Sequence, residues 1–217
     1  MRAGAGFVAP TVYRAAMRLA SSLLGPLKCA GCGRRGGPLC PLCRSHLNAP
    51  ENLAGIPEVD RVIAAWEHHG AARNLVLDLK LGGARWAAEP LAEEMCAAAA
   101  RAGLRGRTVT WVPGRRGDAA QRGYDHAELL ATRVARRLGL RKIPLLRWAR
   151  PVSDQASLAA RERFANLAGA FSARPSPPEV VLVDDVVTTG ATASACGSAL
   201  RAAGAARVEV LVACRRS

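Results

Sequence analysis

Two groups of residues in this 217-residue chain have the types and spacing to do chemistry. The first lies in VVLVDDVVTTGATASACGSAL, residues 180–200. An apolar run ends in adjacent acids, Asp184 and Asp185. Two valines lead to Thr188, Thr189, Gly190, Ala191 and Thr192, and then to a stretch with helical composition. Small residues allow backbone N–H groups to turn inward around an anion. A helix N-terminus adds unpaired donors and the positive end of its dipole. The threonine hydroxyls add more donors, and the whole suits one phosphate monoester. Two carboxylates would repel that phosphate, but as acceptors they suit neighbouring hydroxyls. A phosphate at one end and a cis-diol at the other describe a ribose 5-phosphate. Other readings stand beside this one. An acid pair at a strand end can be a metal site or a phosphoacceptor, and a Thr-Thr-Gly turn can be an ordinary helix cap with Thr at the N-cap. Both elements in this order on a strand–loop–helix favour the ligand site. Neither a G-x-x-x-x-G-K-[ST] loop nor a strand–GxGxxG–helix is present.

The second group is CAGCGRRGGPLCPLC, with Cys29, Cys32, Cys40 and Cys43 in a C-x2-C-x7-C-x2-C pattern. Two residues between thiolates let a tight turn aim both at one ion, and four sulfurs match a closed, structural zinc site. Gly31 and Gly33 supply turn freedom. A redox C-x2-C would need a helix after its first cysteine, which the Gly and Pro content opposes. His46 reads as a surface residue. Arg34, Arg35 and Arg44 face either phosphates or solvent.

The elements that must position these groups follow from the pattern of the chain. Residues 1–26 form an N-terminal helical segment, with Thr11 to Leu24 amphipathic; a packing helix is favoured over a targeting one. Residues 27–47 are the four-Cys zinc knuckle, 48–58 a linker, and 59–217 the main domain. There, strands at 59–66, 108–112, 180–183 and 208–212 alternate with helices at 71–80, 90–102, 125–138 and 192–203. Residues 141–147 read as extended, and 148–171 as polar, arginine-rich and without period. Alternating strands and helices imply an α/β fold on a parallel sheet flanked by helices. Asp125 reads as an N-cap, and His68 and His69 as surface residues.

Composition narrows the classes. Half of the residues are hydrophobic, which excludes a mainly disordered chain. No run approaches the roughly 18 apolar residues of a membrane helix. The formal charge is +14, and only Lys28, Lys80 and Lys142 of the 31 basic side chains are lysines. Such a balance reads either as scattered solvated arginine or as a polyanion partner, nucleic acid or phosphorylated small molecule. Seven cysteines, an odd number, argue against a secreted disulfide framework and for a reducing cytoplasm.

VVLVDDVVTTGAT resembles the motif of type I phosphoribosyltransferases that binds 5-phosphoribosyl 1-pyrophosphate (PRPP). Four further segments resemble the ComF family, competence-related phosphoribosyltransferase-like proteins. They are the cysteine knuckle, Asp78-Leu79-Lys80 followed by Gly82, QRGYDHAELLA at 121–131, and DQASLAARERFANLAGAF at 154–171. The resemblance implies a type I phosphoribosyltransferase-like fold behind a small zinc-knuckle domain. It implies that Asp184 and Asp185 hold the ribose hydroxyls and that Thr188, Thr189, Gly190, Ala191 and Thr192 hold the 5′-phosphate. Pro113, Gly114 and Arg115 would form the pyrophosphate-side loop. Residues 147–171 would form a lid whose Arg150, Gln155, Arg161 and Arg163 reach the pyrophosphate. Lys80 and these arginines are the candidate catalytic residues. Tyr124, Asp125 and His126 are candidates for acceptor contact. Magnesium would arrive with the pyrophosphate. The implied activity is phosphoribosyl transfer to an unknown acceptor, with a link to DNA uptake in natural transformation. The alternative is a non-catalytic PRPP sensor that binds single-stranded DNA. Two segments depart from the family: Val112-Pro113-Gly114-Arg115 lacks the second proline of its VPVP-like loop, and RGYDH replaces its RGFNQ-like segment.

Overall fold

The computed structural model describes residues 28–50, 55–81, 83–115, 123–152 and 160–216, with only the backbone of Ala160 and Arg161. The expected N-terminal helical segment, residues 51–54 of the expected linker, Gly82, Arg122 and Gln155 lie outside the described residues.

Apart from the two-residue edge strand Arg141–Lys142, the strands of the main sheet form where β-branched and aliphatic residues run together. They are β1 (Arg61–Glu67), β2 (Thr108–Trp111), β3 (Arg141–Lys142), β6 (Glu179–Val187) and β7 (Arg207–Arg215). These five make one sheet in the order β1-β7-β6-β2-β3, and every neighbouring pair is parallel. A separate antiparallel hairpin joins β4 (Leu146–Trp148) to β5 (Phe171–Ala173). A five-residue helix, α1 (Pro41–Ser45), lies in the knuckle. The longer helices are α2 (Gly70–Lys80), α3 (Ala88–Ala102), α4 (His126–Leu138), α5 (Ala160–Leu167) and α6 (Ala191–Ala202).

Side-chain alternation along the strands divides the core into two layers. Val109, Val181, Val183 and Leu211 face α2, α3 and α4, and Cys29 and Leu39 of the knuckle join that layer. Val180, Leu182, Val208, Val210 and Val212 face α6 and the β4–β5 hairpin. Both faces being covered explains why the strands read as continuous apolar runs.

The alternating pattern of helices and strands is as expected, and three details differ. The strand carrying the acids does not stop at Val183 but runs to Val187, because β7 keeps pairing with it as far as Val187 opposite Arg215. The stretch 148–171 contains helix α5 and reaches β5; α5 is short and weakly amphipathic, so no period announced it. Cys40 is the N-cap of α1, its sulfur accepting from the Cys43 N–H, so a helical turn does follow the first cysteine of the second pair despite the proline, which suits N1.

Candidate functional site

The strand order fixes where a ligand fits. After β2 the chain crosses to α4 on one face of the sheet, and after β6 it crosses to α6 on the other. Connections that diverge from adjacent parallel strands leave a crevice at their carboxyl ends. Pairing of β2 with β6 ends at Trp111 opposite Val183, so residues 112–115 peel away just where Asp184 begins. A cavity of about 430 Å³ opens there, lined by His68, Lys80, Pro113, Gly114, Arg115, His126, Trp148, Asp184, Asp185, Thr188 and Thr192. A second of about 270 Å³ adjoins it around Arg163, Asp184 and Thr188 to Thr192.

Both aspartates are anchored by the main chain. Asp184 Oδ1 accepts from the N–H of Asp185 at 2.9 Å, and Asp185 Oδ1 accepts from the N–H of Val186 at 2.7 Å. The Asp185 Oδ2 atom lies 2.9 Å from Lys80 Nζ and 3.5 Å from His126 Nε2. Asp185 is 1% exposed. Burial opposes its ionisation, but the charges of Lys80 and His126 outweigh that and hold its carboxyl below the ordinary range. Asp184 behaves in the opposite way. Burial, and then the negative charge of Asp185, push its carboxyl well above the ordinary range.

The loop after β6 is built to expose donors. Gly190 adopts φ 82°, ψ 0° and is the N-cap of α6 without any side-chain cap; the threonine N-cap is therefore not what the chain uses. The Cβ of any other residue at 190 would stand 2.7 Å from Ile56 Cδ1. Thr189 Oγ1 accepts only a long 3.4 Å bond, from the Ala191 N–H. Arg163 of α5 and Arg216 flank Thr188 and Thr189 on the outer side.

Across the crevice, Asp125 caps α4, with Oδ1 accepting from the N–H groups of Ala127 and Glu128. Its Oδ2 accepts from the Gly114 N–H at 2.7 Å. The Trp148 indole N–H donates to the carbonyls of Pro113 and Gly114 at 2.9 and 3.1 Å. The 113–115 loop is thus held from two sides. The Tyr124 hydroxyl donates to the Leu79 carbonyl, which ties α4's approach to the end of α2.

The structure brings together Lys80, Pro113, Gly114, Arg115, Arg163, Asp184, Asp185 and the 188–192 loop. Arg150 stands beside that lining and shares an adjoining cavity of about 390 Å³ with Arg115 and Trp148. The Arg150 guanidinium donates to the carbonyls of Asn166 and Ala168, both at 2.8 Å, and secures the C-terminal end of α5. The side chain of Arg161 lies outside the described residues. Two cleft residues were not anticipated. His68 is half-buried in the cleft rather than on the surface; burial and then Arg73 lower its pKa, with Asp185 opposing. Its place directly after β1, at the carboxyl edge of the sheet, was the available signal. Trp148 had no such signal, since its role comes from a loop far away in sequence. An open groove of about 490 Å³ lies at the far edge, beside β1 and α3, where Asp60 and Arg61 are engaged with Arg201 and Glu209.

The knuckle fits a metal. The four sulfurs lie within 4.8 Å of one another, and the N–H groups of Gly31 and Cys40 point at Cys29 Sγ at 3.4 and 3.3 Å. Burial would raise the Cys29 thiol, but these backbone donors lower it to about 6. Four such ligands suit tetrahedral zinc. Gly31 is needed for closeness rather than for turn freedom: a Cβ there would lie 2.6 Å from Cys43 Sγ, while Gly33 does take φ +72°. Arg44 pairs with Glu93 and Glu94 of α3, and Asn74 of α2 donates to the Ala30 carbonyl at 2.7 Å.

The chain is similar to Competence protein F. The match, with the Haemophilus influenzae protein, is 34% identical over 96 residues and covers 42% of this chain and 42% of that one. The chain therefore matches less than half the length of this curated relative. Among solved structures, the allosteric regulatory enzyme of purine biosynthesis matches with 26% identity over 58% of this chain and 25% of that one, at a TM-score of 0.37. The protein TT1426 from Thermus thermophilus matches with 26% identity over 59% of this chain and 72% of that one, at a TM-score of 0.32. No protein-family model matches the chain. Among the described residues, no helix is long and apolar enough to cross a membrane.

Proposed function

We propose that this chain binds PRPP, or a closely related ribose 5-phosphate, and acts as a phosphoribosyltransferase-type enzyme on an acceptor of unknown identity. The observation that carries the proposal is the joining of Asp184 and Asp185 to the 188–192 loop around one crevice at the sheet's switch point. The aspartates accept from the sugar hydroxyls, and the open amides and hydroxyls of Thr188 to Thr192 take the 5′-phosphate. Arg115 and Lys80 stand on the pyrophosphate side, and Arg163 flanks the phosphate loop.

Departure of pyrophosphate from C1 leaves oxocarbenium character on the ribose. Charge stabilisation of the leaving group and positioning of the sugar would carry most of the rate. Asp184, Asp185 and His126 bring ligand atoms within 4.8 Å of one another, but Lys80 already stands on Asp185 and competes with a magnesium ion there. The ion fits better as a companion of the pyrophosphate oxygens. Zinc in the four-cysteine site would be structural. Residence in the cytoplasm and a part in DNA uptake belong to the same proposal, and its competence link draws support from the similarity to Competence protein F.

A second reading is favoured by the net charge of +14: a PRPP-sensing module that binds single-stranded DNA without turnover. Calorimetric titration with PRPP and magnesium tests the ligand, with the paired variant Asp184→Asn, Asp185→Asn expected to abolish the heat. Pyrophosphate release across a panel of nitrogen nucleophiles separates the two readings. Under the second, none is released and single-strand binding falls steeply with salt.

A further inference from the structure

We propose that His126 is a positioning residue for sugar recognition: with Lys80 it fixes the Asp185 carboxylate so that the crevice distinguishes a vicinal diol from a deoxy sugar. The inference rests on the ribose 5-phosphate reading above. Asp185 Oδ1 is committed to the Val186 N–H. The other oxygen, Oδ2, is enclosed in the unliganded cleft, with Lys80 Nζ at 2.9 Å and His126 Nε2 at 3.5 Å. The carboxylate is flanked by a cation from α2 and an imidazole from α4. A carboxylate kept ionised is an obligate acceptor, so its partner in the ligand must be a hydroxyl that donates.

His126 is itself well placed to do this. Its side chain is 13% exposed, and it begins α4, directly after the cap Asp125. Asp125 holds both the first N–H groups of α4 and the N–H of Gly114. The first turn of α4 thus links the pyrophosphate-side loop to the carboxylate on the sugar side. The other charged groups that face this cluster are His68 after β1, Arg115 in the loop after β2, Asp184 on β6 and Lys80 at the end of α2.

Calorimetric titrations of the full chain with ribose 5-phosphate, 2-deoxyribose 5-phosphate and inorganic phosphate test the proposal in wild type, His126→Ala and His126→Gln. Wild type should prefer the ribose form by about tenfold, the worth of a hydrogen bond to a charged group. His126→Ala should shrink that preference to about threefold or less and leave inorganic phosphate affinity within about twofold. His126→Gln, which offers an amide N–H to Oδ2, should restore most of it. A parallel loss of all three ligands in His126→Ala, an unchanged preference, or no recovery in His126→Gln would overturn the role. In the wild type, the His126 ring proton resonances should move more with ribose 5-phosphate than with the deoxy sugar, and equal movement counts against the proposal even if the alanine variant fails to fold. Wild type that binds neither sugar phosphate would sink the underlying function, whereas binding with no preference between the sugars would sink only the part assigned to His126.

Discussion

The ammonium of Lys80 and the carboxylate of Asp185 meet at 2.9 Å, joining the last residue of α2 to the central strand at the ligand edge of the sheet. The acid is 1% exposed, while the lysine side chain is 35% exposed and open to the cleft. The pair sets the charge of the crevice before any ligand enters, and its removal is informative for stability and binding alike.

Lys80→Met should leave a buried carboxylate without its nearest cation. For a fully buried pair the loss would be about 3–5 kcal/mol; with the lysine partly solvated, on the order of 2 kcal/mol is expected. The pH dependence follows from the lowered pKa of Asp185, whose first influence, burial, is outweighed by Lys80 and His126. A carboxyl lowered in the fold contributes stability above its unfolded pKa of about 4, and that contribution is lost as pH falls through the folded value. Urea denaturation should show the full wild-type advantage at pH 7 and a shrinking one below about pH 4.

Asp184→Asn should have the opposite effect on stability. Burial and the neighbouring Asp185 charge raise the Asp184 carboxyl, so its favourable contribution is complete below the unfolded pKa and is lost as pH rises through the folded value. At pH 7 the neutral amide should therefore stabilise the chain by about 1 kcal/mol, with the gain vanishing below about pH 4. The same variant should lose ribose 5-phosphate binding. A stable variant that no longer binds marks Asp184 as kept for function at a cost to the fold. Unchanged affinity would remove it from the site.

Most of the parallel sheet was legible because strands covered on both faces must be largely apolar: Val180 to Val183 is so throughout, and Val208 to Val212 is so but for Glu209, which Arg61 and the N–H groups of Arg105 and Gly106 hold. Asp184 to Thr192 was legible because an acid pair and a small-residue loop share one stretch of chain. Lys80 was only half legible. A lysine at a helix end normally answers the helix dipole, and only the packing of α2 beside β7 turns it toward Asp185. Trp148 holds a loop distant in sequence, which no local pattern encodes, whereas His68 follows β1 at the ligand edge and His126 stood among the contact candidates, its approach to Asp185 coming only from the fold. Helix α5 was missed because its few apolar residues meet α6 rather than the sheet, and so give too weak a period.

Gly190→Ala should damage both the fold and the phosphate cradle. The residue sits at φ +82°, and a Cβ there would stand 2.7 Å from the side chain of buried Ile56. Left-handed strain in a non-glycine residue costs about 1–3 kcal/mol. Relief by local rearrangement would turn the 188–192 amides from the cavity, so inorganic phosphate affinity should fall about tenfold, the worth of a charged hydrogen bond. Ser198→Ala, exposed on the same helix, serves as the control and should change neither quantity.

Metal removal tests whether the knuckle is more than an appendage. Cys29 and Leu39 are buried in the same layer as α2, α3 and α4, and Asn74 of α2 holds the Ala30 carbonyl. The exposed pair of Arg44 with Glu93 and its partly buried pair with Glu94 add little, about 0.5 kcal/mol each. The coupling therefore runs through packing, and α2 carries the knuckle near its start and Lys80 at its end. The purified chain should hold about one zinc ion, the number that four thiolates bind, and Cys32→Ser should reduce the content. A strong chelator should lower the melting temperature by several degrees, as loss of roughly 1–2 kcal/mol would in a domain of this size. If α2 transmits the loss to Lys80, chelation should also weaken ribose 5-phosphate binding in wild type and have little further effect in Lys80→Met. A lower melting temperature with unchanged affinity would confine the metal to stapling the chain's amino-terminal side.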